Sequence, residues 1–129
     1  MQQDGKGSVS EAARERNEAF AQVIATRAMD VIREKITKEK EQGDLNCEVY
    51  YSIHNPYEEG SAEYVYIQDL LTKSSGKDPN YIDLFDRLRI KLKEALDCEG
   101  VHSFLMLNCR FDARYEDNFL LYALVSWGG

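Results

Sequence analysis

Apolar side chains recur at three- and four-residue steps through the first third of the chain: Phe20, Val23, Ile24, Ala28, Val31, Ile32 and Ile36. That spacing lines one face of a helix. Ser8, with Glu11 three positions on, can form a capping box at its start. Lys38 and Lys40 favour the negative end of the helix dipole, and Gly43 supplies a stop. The pattern predicts a helix of about 30 residues, roughly 45 Å long. Its first two turns, residues 11–18, are mostly polar or alanine and are expected to fray or project beyond the core.

The period changes at residue 47. Cys47, Val49, Tyr51 and Ile53 alternate with Glu48, Tyr50, Ser52 and His54, the two-residue period of a half-buried strand. A turn-rich stretch over 55–61, punctuated by Pro56 and Gly60, separates it from a second candidate strand at 62–67, and the pair reads as a hairpin. Residues 72–78 are the most loop-like interior stretch. Asp78 can cap the next helix, with Pro79 at a first position that needs no helical N–H. Tyr81, Leu84, Phe85, Leu88, Leu92, Ala95 and Leu96 form its apolar stripe, and Gly100 ends it. Residues 101–111 and 118–127 are rich in large apolar side chains and read as two core strands.

These elements predict an α+β fold in the order α-β-β-α-β-β. It is a two-layer sandwich, with an antiparallel sheet of about four strands and two helices on one face. Residues 1–9 form a flexible N-terminal arm and 10–129 a single domain. Alternation continues past residue 109. Cys109, Phe111, Ala113 and Tyr115 share the face of Val101, Leu105 and Leu107, while Arg110, Asp112, Arg114 and Glu116 take the other with alternating charge. A long final hairpin follows, with Phe111 opposite Ala123 and Tyr115 opposite Phe119.

Composition sets bounds on function. At 43% hydrophobic and 30% charged residues, the balance is that of a globular chain. No apolar run approaches the roughly 18 residues of a membrane span, and the first ten residues lack the apolar core of a secretory signal. A cytoplasmic protein is expected. The formal net charge is −7, and basic residues are interleaved with acids. No basic stripe forms to displace phosphate counterions, which disfavours nucleic acid as a partner. An acidic surface suits a basic protein partner. The three cysteines, Cys47, Cys98 and Cys109, have no paired spacing, which argues against a disulfide framework and fits reduced thiols.

Candidate chemistry is sparse. His54 and His102 are the two histidines, and no His or Cys spacing announces the three or four converging ligands of a zinc site. No metal, cofactor or catalytic residue is therefore assigned. Ser74-Ser75-Gly76-Lys77 lacks the glycine spacing and residue order of a phosphate loop. Glu58 and Glu59, on a turn, are expected to be solvated rather than tuned for acid–base work.

The tyrosines are more suggestive. Tyr50, Tyr57, Tyr64 and Tyr66 fall within one expected hairpin, and aromatic rings with polar tips suit interfaces. The candidate binding surface comprises these four with Glu58 and Glu59, joined by the charged segment Arg110, Asp112, Arg114 and Glu116.

The reading that results is a small acidic protein-binding module without catalysis. Inhibitors and immunity proteins share its size, charge and layout, a likeness of kind and not of sequence. One alternative is a small-molecule binder or small enzyme with a pocket between sheet and helices, drawing on His102, Tyr122 and Arg110. The other is a homodimeric scaffold joined through the first helix or an uncovered sheet face.

Overall fold

The computed structural model describes residues 9–73, 78–110 and 118–128. Among these, the elements run α1 (Glu11–Glu41), β1 (Asn46–Ile53), α2 (Ala62–Lys73), α3 (Pro79–Cys98), β2 (His102–Arg110) and β3 (Asn118–Ser126). The strand order is β1-β3-β2, with β3 antiparallel to both neighbours. The fold is α+β with an antiparallel sheet, but the described residues form three strands and three helices in the order α-β-α-α-β-β.

The difference lies at residues 62–67, expected as a strand and found within a helix, Ala62–Lys73. Tyr64, Val65 and Tyr66 favour strands on propensity, yet propensity yields to burial. Ile67, Leu70 and Leu71 are all buried, and their three- and four-residue spacing suits a helix face. Ser61 caps the helix, its Oγ accepting the Tyr64 N–H at 3.1 Å. With no hairpin partner at 62–67, β1 pairs instead with β3, bringing Cys47 opposite Val125 and Tyr50 opposite Tyr122.

Local signals explain the remaining boundaries. α1 spans 31 residues, with Ser10 as its cap: Ser10 Oγ accepts the Ala13 N–H at 3.1 Å. Ser8 lies outside the described residues. Gly43 and Gly100 adopt positive φ of 86° and 75°, and each closes a helix by the same pair of bonds. The Gly43 N–H reaches the Lys40 carbonyl and the Asp44 N–H that of Glu39; the Gly100 N–H reaches Asp97 and the Val101 N–H reaches Leu96. Val101 then feeds directly into β2. Asp78 caps α3 with Pro79 at its first position, as expected.

The β2–β3 register also differs from expectation. Ala123 lies opposite Leu105, and Phe119 opposite Cys109. Placing Phe111 opposite Ala123 would leave residues 102–107 facing chain beyond the end of β3. The observed register gives all nine residues of β2 a partner on β3. Asp112 to Glu116, and the proposed continuation of the strand to Tyr115, lie outside the described residues.

One parity of strand positions builds the core. Cys47, Val49 and Ile53 of β1, Leu105 of β2, and Leu121, Ala123 and Val125 of β3 join Phe20, Ile24, Ile32, Leu84, Leu88, Leu92 and Leu96 in a single buried cluster. α1 packs on β1, α3 on β2, and the two helices along each other. The first turns of α1, expected to fray or project, are docked by the burial of Ala13 and Asn17.

Asn17 is 0% exposed, and a polar network explains it. Its Nδ2 donates to Asp83 Oδ2 at 2.8 Å and to the Asn80 carbonyl at 3.3 Å, while its Oδ1 accepts the Tyr66 hydroxyl at 2.8 Å. Arg87 extends the chain, its Nε on Asp83 Oδ2 and its Nη1 on Glu18 Oε1, both at 2.9 Å. Lys91 pairs with the other Glu18 oxygen. One amide thus ties α1 to both α2 and α3.

Two outcomes follow from the network. Asn17→Ala leaves several half-buried partners unmet and should cost about 1–3 kcal/mol in denaturant unfolding. Adding Tyr66→Phe should cost less than the sum of the single changes, because the two share one bond. The second concerns acid. Hydrogen bonds from Lys91 and Arg87 hold the Glu18 carboxyl below its ordinary 4.5. A depressed carboxyl stabilises the fold above its unfolded pKa, and that contribution is lost as pH falls through the folded value. Glu18→Gln should therefore flatten the stability–pH curve below about pH 4.5, measured by thermal melts across that range.

Candidate functional site: the outer face of the sheet

The strand positions that do not enter the core form a second face. The register sets them in rows: Glu48–Leu124–Phe104 and, next to it, Tyr50–Tyr122–Met106. Tyr50 is 64% exposed, Phe104 57%, Met106 46% and Leu124 40%, so the largest side chains here meet solvent. A row of Asn46, Ser126 and His102 closes the end nearest the β1 N-terminus.

The rows interact internally. The Tyr50 and Tyr122 rings lie 5.2 Å apart, tilted by 55°, a favoured aromatic geometry. The Tyr122 hydroxyl donates to Glu48 Oε2 at 2.6 Å. That bond holds the proton on the phenol, since ionisation would set phenolate against carboxylate. The Tyr122 pKa is pushed up to about 12.

Two strands of neighbouring apolar residues make this face visible in the sequence. Residues 104–107 and 119–121 are apolar at both parities, whereas a sheet covered on one side alternates cleanly between apolar and polar. A strand apolar on both faces in a two-layer fold predicts one apolar face with nothing over it. Phe104, Met106 and Leu124 are readable by that rule, although the two segments read only as core strands, with Tyr122 drawn on for a pocket.

The residues expected to form a tyrosine surface are not brought together. Tyr50 lies on the outer face. Tyr57 packs on the core with its ring 6.4 Å from that of Phe20, and burial pushes its phenol up. Tyr66 is bound to Asn17 beneath the Arg16 guanidinium, 5.5 Å from its ring centroid. Tyr64 is half-buried on α2, and Glu58 and Glu59 are exposed on the preceding turn. The Arg110 backbone ends β2 opposite Asn118; Asp112, Arg114 and Glu116 lie outside the described residues.

Other chemistry is placed apart from this face. Cys47 is buried, and desolvation pushes its thiol up, which suits packing over reactivity. Among the described residues, no group of three or more His, Cys, Asp or Glu side chains could hold a metal ion. No described helix is long and apolar enough to cross a membrane. A shallow groove of about 420 Å³ runs between α1 and α3, lined by Gln22, Met29, Arg33, Lys91 and Glu94 among others. Its lining includes none of His102, Tyr122 and Arg110, the residues on which a pocket was expected to draw.

No protein-family model matches the chain, and neither curated proteins nor solved structures show significant similarity to it.

The Tyr122–Glu48 bond has a direct readout. In a pH titration followed by NMR of ring-labelled tyrosine, Tyr122 should ionise near 12. Glu48→Gln should return it toward its ordinary 10, since the replacement amide no longer repels the phenolate.

Proposed function

We propose that this protein is a non-catalytic protein-binding module whose recognition surface is the outer face of its sheet. The observation that carries this reading is the exposure of Phe104, Met106, Leu124 and Tyr50 side by side on adjoining strands. Single exposed apolar residues are ordinary, but contiguous apolar patches on a folded chain are often interaction sites. The face is bordered at one end by polar Asn46, Ser126 and His102, and presents two tyrosines that can bury large area at small entropic cost. An inhibitor or immunity-type role is the concrete form suggested by the chain's size, layout and net charge of −7.

Size places a bound on the interface. With strands about 4.8 Å apart and a rise of about 3.3 Å per residue, the three strands cover roughly 410 Å². A standard interface buries about 800 Å² on each partner. A partner must therefore reach past the face onto a sheet edge, and both β1 and β2 are edge strands with a side not paired by β3.

The test is affinity capture from the native cell with mass spectrometry, run beside the paired variant Phe104→Thr, Met106→Thr. Threonine suits strands, and surface changes of this kind shift stability by on the order of 0.5 kcal/mol. The variant should melt near wild type and lose the captured protein. Capture unaffected by both substitutions would place recognition elsewhere, and a co-purifying metabolite without any protein would favour the small-molecule alternative.

A further inference from the structure

We infer that the occupant of the outer face is a protein segment presenting an arginine or lysine between apolar side chains, with its cation paired to Glu48 beside the Tyr50 and Tyr122 rings. The inference rests on the outer face being the recognition surface, and it names what that surface selects.

Glu48 is the determinant. It stands in the same row as Leu124 and Phe104, so a segment that covers those two also takes Glu48 out of water. The Tyr122 hydroxyl supplies one hydrogen bond, whereas an ionised carboxylate has about four acceptor sites. Burying a charge so poorly compensated is strongly unfavourable unless a countercharge comes with the occupant. None of the described residues in these three rows is a lysine or arginine: the rows read Asn46, Ser126, His102, Glu48, Leu124, Phe104, Tyr50, Tyr122 and Met106. Arg110, paired with Asn118, falls at the same parity but three rows beyond Glu48, so the cation beside Glu48 must be brought in.

The aromatic pair adds to the selection. A cation within about 6 Å of a tyrosine ring is attracted by its π face, and Tyr50, 64% exposed, lies 5.2 Å from Tyr122. A guanidinium or ammonium at Glu48 would thus meet a carboxylate and two rings in one place. Phe104, Met106 and Leu124, further along the same rows, receive the apolar neighbours.

A second copy fits this site less well. Face to face, it would contribute another Glu48 and no lysine or arginine from these rows, on a chain whose net charge is already −7. Charge complementarity selects a basic partner.

The experiment is selection of a random twelve-residue peptide library, displayed on phage, against the full chain. Enriched peptides should carry arginine or lysine flanked by apolar residues. Replacing that cation by glutamine, or making Glu48→Gln in the protein, should each weaken binding by about tenfold or more. The two changes together should cost little more than either alone, as expected for a direct pair.

Three results would overturn the inference. Peptides that need Phe104 and Met106 but lack a cation and ignore Glu48→Gln would refute the charge requirement while keeping the face as the binding surface. Peptides indifferent to the Phe104→Thr, Met106→Thr variant would remove both. A chain that sediments as a dimer until those two residues are replaced would make a second copy the occupant.

Discussion

The sheet depends on the insertion of β3 between β1 and β2. β1 follows the first helix, yet its described backbone partner is the last strand of the chain, with Cys47 set against Val125 and Ile53 against Phe119. β2 uses the opposite side of the same strand. Each ladder fixes parity as well as proximity, because a slip of one residue would exchange every inward side chain for an outward one. The burial of Cys47, Val49, Leu105, Leu121, Ala123 and Val125 under α1 and α3 therefore dictates what stands outside: Glu48, Tyr50, Phe104, Met106, Tyr122 and Leu124. The outer face, the proposed recognition surface, is the complement of the core.

This arrangement separates two kinds of polar chemistry. Around Asn17, itself buried, half-buried polar groups bond to one another and join helices. Around Glu48 a carboxylate and a phenol meet in the open among apolar side chains. The first arrangement specifies how three helices sit together. The second leaves a charge with unused acceptor capacity among exposed apolar side chains, the combination on which the proposed selectivity by charge rests.

Much of the framework was legible from pattern. α3 was announced by Asp78, Pro79 and an unbroken leucine stripe, and α1 by its apolar steps and Gly43, because these signals are local and agree with one another. The failure at residues 62–67 is instructive. Tyr64, Val65 and Tyr66 satisfy a strand's propensity and alternation, while the helical signal rests on Ser61 as cap and on Ile67, Leu70 and Leu71 farther along. A six-residue window sees the first and misses the second. That one misreading also dispersed the expected site, since a tyrosine hairpin became a helix with Tyr66 turned to Asn17 and only Tyr50 left on the outer face. The register error arose differently. Alternation is blind to shifts by an even number of residues, and only the demand that all of β2 find partners decides among them.

The central claim, that the outer face is covered by a partner in the cell, is tested most directly by covalent footprinting. The purified chain and the chain in extract of its native cell would be labelled and compared residue by residue. The account predicts that Phe104, Met106 and Leu124 label readily when purified and are protected in extract, with Gln22 and Lys91 of the α1–α3 groove unchanged. Equal labelling of the outer face in both, with protection confined to that groove, would contradict it.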